Sequence, residues 1–284
     1  MERYAVAERR STSRAALEAT VLSALAGAGV APELVARSGR VVVQSFLPGR
    51  RLSEVLDAAE PSRHAGLLWE AVEALARAHA ILRRHPTAET LPKIGVRPGW
   101  VTDLACAPLR LAETNGLPIP NLDIERLVDR MTVTDWAPVK WDARPGNAIV
   151  TAPGRIGWID WEHCGLRRPS DDLAWLLADE WCPLAGFDET RLLALLYPRQ
   201  TVSDWRIMAV LHGTVRLDML LRRWVQEGRW WNHDESLARD RIGLTRALVL
   251  RHLNKLRGWS ESSADLTPLA PLFGRLSERI EQHV

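Results

Sequence analysis

The sequence has few Cys, few Lys and no Gly in its first 26 residues, and each of these absences restricts the chemistry that the protein can perform. Only three of the 284 residues are Cys, and none forms a CxxC pair, which excludes a disulfide framework and favours a reduced, cytoplasmic setting. Only three are Lys, the first being Lys93, and no Gly precedes Gly27. These positions restrict the chemistry that the N-terminal part of the chain can perform.

Long apolar runs and an excess of one charge are also missing. No stretch of 18 apolar residues exists, and charged residues crowd the first ten positions, so we expect neither a membrane span nor a signal peptide. The net charge of +2, from 37 basic and 35 acidic residues, gives no general attraction for nucleic acid or anionic membranes. With 46% apolar and 25% charged residues, the composition is that of a globular protein.

The pattern along the chain predicts two lobes of different character. Residues 1–47 show a strand, an amphipathic helix and two further strands, and the helix ends near Gly27. Residues 48–284 are mainly helical, with apolar residues of a long helix recurring from Leu68 to Leu82. Further helices are predicted at 124–131, 171–182, 189–196, 203–226, 235–257 and 272–282.

One segment inside the helical part carries most of the polar signal. Residues 147–151 and 155–159 are apolar runs flanking Ala152-Pro153-Gly154, a pattern typical of a β-hairpin. Asp142 and Asn147 precede the hairpin, and Asp160 follows it. Because a hairpin brings its two ends together, we expect these three side chains to converge. Two carboxylates and an amide there suit phosphoryl transfer, which needs a base for the attacking hydroxyl and oxygen ligands for Mg²⁺.

Several motifs resemble the aminoglycoside phosphotransferase and choline kinase superfamily. Asp142-Ala-Arg-Pro-Gly-Asn147 resembles its catalytic loop, Ile159-Asp-Trp-Glu162 its metal-binding segment, and Pro169-x-x-Asp172-Leu-Ala174 the start of the following helix. Phe46-Leu-Pro-Gly49 resembles the segment joining the lobes. The resemblance implies an α+β, bilobal protein-kinase-like fold with a small, truncated β-containing N-lobe and a large, mainly helical C-lobe.

The resemblance also implies roles for individual residues. Asp142 is expected as catalytic base or orienting carboxylate, and Asn147 and Asp160 as Mg²⁺ ligands. Backbone groups of Ser45 and Leu47 are expected to hydrogen-bond the adenine edge of the nucleotide, and ATP or GTP is the expected phosphate donor. Glu18 takes the place of the helix Glu that pairs with a strand Lys, and Asp172 the place of a structural Asp.

The chain departs from the family pattern in its N-lobe. The strand Lys is absent, and its place falls on Arg9 or, equally defensibly, on Ala7; Arg9 is more simply explained as a solvated charge. The glycine-containing phosphate loop is absent too, so either the nucleotide lid is truncated or the true start lies upstream. Lys140 stands where the family has His, and Lys140 or Arg144 is hypothesised to supply positive charge to the γ-phosphate.

Two functions remain open at this point. The first is a nucleotide- and Mg²⁺-dependent kinase acting on a hydroxyl of a small molecule, favoured by the retention of Asp142, Asn147 and Asp160. The second is a catalytically impaired pseudokinase that serves as a binding or scaffold protein, favoured by the missing Lys and loop. The acceptor is not readable from the sequence, because this fold serves many hydroxyl compounds.

Overall fold

The structure, a computed structural model, describes residues 3–151, 155–184, 186–239 and 242–282. The chain divides into two compact units. The first consists of the described parts of Met1–Ile94, Val133–Leu173 and Ala185–Tyr197, and the second of those of Gly95–Thr132, Ala174–Leu184 and Pro198–Val284. The boundary after residue 47 that the sequence indicates falls inside the first unit and stays a prediction.

The first unit begins with a small sheet packed on one helix. Strands β1 (Tyr4–Glu8), β2 (Leu34–Ser38) and β3 (Val41–Ser45) form an antiparallel sheet in the order β1-β3-β2. Helix α1 (Thr12–Ala24) lies between β1 and β2 in sequence, and the Ser11 hydroxyl caps it by accepting from the Arg14 amide at 3.2 Å. The order strand, helix, strand, strand is the one that the sequence predicts.

The predicted hairpin is present in the same unit. Strands β6 (Ala148–Val150) and β7 (Ile156–Trp158) pair antiparallel, and β4 (Arg50–Arg51) extends this sheet on the β6 side. The predicted turn, Ala152 to Gly154, lies outside the described residues. Strands β5 (Ala137–Val139) and β8 (Gly165–Arg167) form a separate antiparallel pair. The loop before the hairpin follows β5, and the loop after the hairpin leads into β8.

Helices make up most of the remaining chain. The longest in the first unit, α3 (Pro61–Arg84), buries the apolar face that the sequence predicts from Leu68 to Leu82. The others are α2 (Leu52–Ala58), α4 (Trp100–Ala105), α5 (Ala107–Thr114), α6 (Ile124–Met131), α7 (Pro169–Leu177), α8 (Glu189–Leu196), α9 (Val202–Glu227), α10 (His233–Ala238), α11 (Arg246–Glu261) and α12 (Ala270–Gln282).

One helix prediction is wrong. The single helix expected at 235–257 is two helices, α10 and α11, separated by a segment that contains Gly243. The Gly243 amide donates to the buried Glu180 carboxylate at 2.8 Å, and a Cβ at this position would lie 2.5 Å from Glu180 Cγ. An amide committed to a side chain cannot serve the helix ladder, so the helical periodicity is interrupted there.

None of the helices in the described ranges is both long enough and apolar enough to cross a bilayer.

Candidate active site

The predicted catalytic loop has an unusual backbone. Trp141, Asp142 and Asp160 have φ angles of 53°, 59° and 64°, and they are the non-glycine residues with positive φ in the described part of the chain. Left-handed backbone at such residues costs about 1 kcal/mol each and is found at functional sites that surrounding contacts hold in place. The strain therefore falls on the two Asp that the sequence marks for catalysis and metal binding.

Asp142 and Asn147 are joined directly across this loop. The Asn147 Nδ2 donates to the Asp142 carbonyl at 3.0 Å and to Asp142 Oδ2 at 2.9 Å. Both Asp142 atoms are acceptors, so the Asn147 atom that faces them must be the NH₂ nitrogen and not the amide oxygen. This fixes the orientation of the Asn147 side-chain amide. Oδ1 of Asn147 is thereby the atom left for a cation, while Nδ2 orients the Asp142 carboxylate.

Asp160 reaches the same loop through the end of the hairpin. The Ile159 amide donates to the Asn147 carbonyl at 2.9 Å, which places Asp160 one residue beyond a backbone contact with Asn147. The fully buried Lys140 donates from Nζ to the carbonyls of Asp160 at 2.9 Å and Asp142 at 3.3 Å. The structure thus brings Asp142, Asn147 and Asp160 together, and Lys140 ties the two loop backbones.

A buried polar chain supports the loop from below. The carboxylate of Asp172, near the start of α7, accepts from the Lys140 amide at 2.6 Å and the Trp141 amide at 2.8 Å. His79 Nε2 bonds to the same carboxylate at 2.8 Å, and the Tyr197 hydroxyl lies 3.3 Å from His79 Nδ1. Asp172 lies in the structural place expected of it. Tyr197 was missed, because nothing in its sequence neighbourhood links it to His79.

Arg9 contradicts the expectation of a solvated charge. Its side chain is 12% exposed, and its Nε and Nη2 pair with the two oxygens of the fully buried Glu18 at 2.5 and 2.6 Å. Its Nη1 lies 2.9 Å from Asp160 Oδ1. Of the two candidate positions for the strand cation, the geometry selects Arg9, since Ala7 pairs with Val42 inside the sheet.

Glu18 does more than neutralise Arg9. Its Oε1 also accepts from the Trp161 amide at 3.1 Å, so helix α1 is joined to the segment that follows Asp160. Burial and three hydrogen bonds make Glu18 an internal ion-pair partner of Arg9.

The donor set fits Mg²⁺. Asp160 Oδ1 is a buried carboxylate oxygen that no hydrogen-bond donor of the described residues satisfies, and its contact with Arg9 is an ion pair. The described residues contain no cluster of three or more His, Cys, Asp or Glu that would hold a metal by themselves. Mg²⁺ is commonly held by one or two protein oxygens with phosphate oxygens and water completing the shell. Asp160 and Asn147 suit that manner of binding.

The predicted adenine-binding segment lies at the end of β3. The Ser45 amide donates to the Glu33 carbonyl at 2.8 Å and is therefore committed to the sheet. The Leu47 amide forms no hydrogen bond with the residues that the structure describes, and it remains the donor available to a base. The Leu47 side chain packs over Gly157, where a Cβ would lie 2.6 Å from Leu47 Cδ1.

Electrostatics set Asp142 apart from an ordinary aspartate. Burial raises the pKa of its carboxyl group, while the positive charges of Lys140 and Arg144 act in the opposite direction. A raised pKa makes a carboxylate a better proton acceptor. Arg144 is half-buried, and its amide donates to the Asp142 carbonyl at 2.9 Å, so it also contributes to the loop's shape.

Comparison with known proteins identifies the class. A sequence profile of the phosphotransferase enzyme family matches residues 5–211. The match covers more than half of the chain, which therefore belongs to this family. A search among curated proteins gives no match.

The chain is also similar to solved structures. An aminoglycoside phosphotransferase from Alicyclobacillus acidocaldarius has a TM-score of 0.54 at 11% identity, covering 92% of this chain and 87% of that one. An AMP-bound spectinomycin phosphotransferase has 0.51 at 15%, covering 80% and 81%. A mutant aminoglycoside 2′-phosphotransferase-IIIa in complex with GDP has 0.51 at 14%, covering 91% and 85%. These likenesses confirm the predicted α+β protein-kinase-like fold.

Proposed function

We propose that this phosphotransferase moves the γ-phosphoryl group of ATP or GTP to a hydroxyl of a small molecule, with Mg²⁺ as the metal. The observation that carries the proposal is the convergence of Asp142, Asn147 and Asp160, two of them on strained backbone held by buried contacts. Backbone strain of this kind persists where surrounding contacts hold the residues in place. A site whose groups are fixed before the substrate binds needs such contacts.

Asp142 is the proposed base. Asn147 Nδ2 fixes the position of its Oδ2, which leaves Oδ1 to accept the proton of the acceptor hydroxyl as that oxygen attacks phosphorus. The burial that raises the pKa of Asp142 also raises its proton affinity. Lys140 is proposed as a positioning residue, since its Nζ contacts backbone carbonyls, and Arg144 as the cation that stabilises the transferred phosphoryl group.

The phosphate end of the nucleotide is proposed to lie between Asp160 and Arg9. Asp160 and Asn147 would hold Mg²⁺, which would neutralise charge on the phosphate oxygens. Arg9, fixed by Glu18 through two nitrogens, presents its third nitrogen, Nη1, toward the same place. The carbonyl of Ser45 and the amide of Leu47 are proposed to contact the adenine edge, and relatives of this fold are described in complex with AMP and GDP.

The first test measures nucleotide binding by thermal shift with ATP and GTP, each with and without Mg²⁺. A ligand that binds only the native state stabilises it by about 2.7 kcal/mol at 100-fold its Kd. We expect a shift that requires Mg²⁺. A panel of hydroxylated small molecules is then screened by nucleotide consumption to find an acceptor.

The second test replaces the base. Asp142→Asn is expected to lower kcat about 100- to 10,000-fold while leaving the nucleotide-induced shift intact, because a neutral amide accepts no proton. Asp129→Asn, at an exposed position of α6, is the matched control and should retain wild-type turnover. Full turnover by Asp142→Asn would remove Asp142 from its role. A Mg²⁺-dependent shift without turnover on any acceptor would instead favour the pseudokinase.

A further inference from the structure

A cavity lies in the first unit, beside α1. Its volume is about 680 Å³, within the range of pockets that bind drug-sized molecules. Three segments form its walls: one face of α1, residues 87–94 after α3, and residues 162–164 with Trp141. None of Asp142, Asn147 and Asp160 lines it. Its walls are largely apolar, with Leu17, Leu91 and Ile94 among them.

Arg14 gives the cavity a cation with free donors. Its Nη1 lies 2.6 Å from His163 Nδ1 and donates to the Glu162 carbonyl at 3.3 Å. Its Nε and Nη2 make no hydrogen bond with the described residues. A guanidinium keeps its charge at any relevant pH, and its planar pair of N–H groups matches a carboxylate.

Glu162 also lines the cavity and carries an unsatisfied acceptor oxygen. Its Oε2 is buried and receives no hydrogen bond from the residues that the structure describes. Its Oε1 lies 3.8 Å from both Arg9 Nη1 and His163 Nε2, beyond hydrogen-bond distance. An unsatisfied buried acceptor is costly, and a rotation of the Glu162 side chain that brings Oε2 to the cavity wall lets a ligand hydroxyl donate to it and gain affinity.

We propose that this cavity binds a small hydroxy acid with an apolar body. The carboxylate is bound by Nε and Nη2 of Arg14, the hydroxyl donates to Glu162, and the apolar body fills the space among the Leu and Ile side chains. The opposite face of α1 carries Glu18, which pairs with Arg9 and accepts from the Trp161 amide. A ligand packed against α1 thereby also braces the helix that orients Arg9.

The probe is 3-phenyllactate, compared with 3-phenyllactamide, which lacks the charge, and 3-phenylpropionate, which lacks the hydroxyl. Isothermal titration calorimetry on the full chain should show saturable binding of 3-phenyllactate at millimolar concentrations or below. Binding should be at least about tenfold weaker for the amide, and also weaker for 3-phenylpropionate.

Variants locate the binding site. Arg14→Gln should weaken 3-phenyllactate at least about tenfold, whereas Arg10→Gln, at an exposed position outside the cavity, should not. Ala16→Phe, which places a ring inside the cavity, should abolish binding and shows the effect even if Arg14→Gln folds poorly. Absence of saturable binding, equal affinity for the amide, or undiminished binding by Ala16→Phe would overturn the proposal.

A hydroxy acid in this cavity is either the acceptor or an effector. Incubation of 3-phenyllactate with ATP and Mg²⁺, followed by ³¹P NMR, separates the two: a phosphate ester identifies an acceptor, and binding without ester identifies an effector. Only the acceptor outcome rests on the proposed function. The binding titrations contain no nucleotide, so they stand or fail independently of phosphoryl transfer.

Discussion

At the scale of single residues, the exchange of lysine for arginine in the N-lobe has a geometric consequence. A lysine ammonium is a point charge, whereas the Arg9 guanidinium presents separate nitrogens on two sides. Two of them are used on Glu18, and the third lies 2.9 Å from Asp160 Oδ1. One side chain therefore connects helix α1 to the candidate metal ligand.

This arrangement predicts that Arg9 matters for stability as well as for phosphate binding. Arg9→Gln leaves Glu18 charged at a fully buried position, and breaking a buried pair from one side costs about 3–5 kcal/mol. We expect a loss of that size in the free energy of unfolding, measured with urea. The exposed Arg10→Gln should stay within about 0.5 kcal/mol of wild type.

A double variant separates charge burial from general damage. Arg9→Gln combined with Glu18→Gln removes both charges, and it should recover most of the stability lost in the single variant. If Arg9→Gln alone matches the Arg10→Gln control, the pair contributes nothing and the assignment of Arg9 is wrong.

A site formed by residues at a recognisable spacing could be predicted from the sequence, whereas contacts between distant segments could not. The Asp142 and Asn147 spacing and the following Asp160 indicated a shared site before any coordinates. The choice between Arg9 and Ala7 depended on strand register, because a shift of one or two residues changes which side chain reaches α1. Which donors of Arg14 and which oxygen of Glu162 lack partners among the described residues depends on tertiary packing that no local pattern encodes.

At the scale of elements, two glycines differ in whether neighbouring atoms leave room for a side chain. At Gly49, before β4, a Cβ would lie 2.2 Å from the Val150 carbonyl oxygen on β6. At Gly66, inside α3, a Cβ would meet no atom within 4 Å. Only the first glycine is required by packing.

We therefore expect alanine to lower the stability of the protein at Gly49 and to raise it at Gly66. Gly49→Ala should lower the free energy of unfolding by about 1–3 kcal/mol, because Val150 backbone must move away and the pairing of β4 with β6 is disturbed. Gly66→Ala should raise it by about 0.4–1 kcal/mol, since alanine restricts the unfolded chain and suits a helix interior. Urea titrations of both variants test this, and destabilisation by both would mean that the packing at Gly49 is not special.

Elements with strong periodicity were predictable, and short ones were not. The apolar face of α3 and the order of elements in residues 4–45 followed from pattern alone. Helices α4 and α5 lie in a stretch with several Pro and Gly and no clear period, so their short amphipathic faces gave no signal. The break between α10 and α11 depends on Glu180, more than fifty residues away in sequence.

At the scale of the whole molecule, the fold is shared with structures of low sequence identity. Three structural relatives with TM-scores above 0.5 share 11–15% identity with this chain. The features that the sequence predicted and the structure contains are the loop from Asp142 to Asn147, the hairpin and the contacts of Asp172 with that loop. Polar residues at a fixed spacing made the class recognisable in the sequence, whereas an apolar core tolerates many sequences of similar volume and patterning.

Stability of the whole chain should depend on pH through one buried histidine. His252, on α11, lies 2.8 Å through Nε2 from the Gly213 carbonyl of α9. Burial, followed by the nearby charge of Lys255, lowers the pKa of His252 to about 4. Because the unfolded chain takes up a proton near pH 6.5 and the folded chain does not, the free energy of unfolding falls as pH decreases from about 6.5 to about 4.

The loss attributable to His252 amounts to about 3 kcal/mol across that range, by the linkage of protonation to folding. His252→Gln keeps an N–H donor for the Gly213 carbonyl and removes the titration, so its stability should vary less between about pH 7 and about pH 4. His163, whose pKa burial also lowers, contributes the same sign in both proteins and cancels in the comparison. If the stability of His252→Gln varies with pH as steeply as that of the wild type, His252 is protonated in the folded protein, and its hydrogen bond and burial have been misassigned.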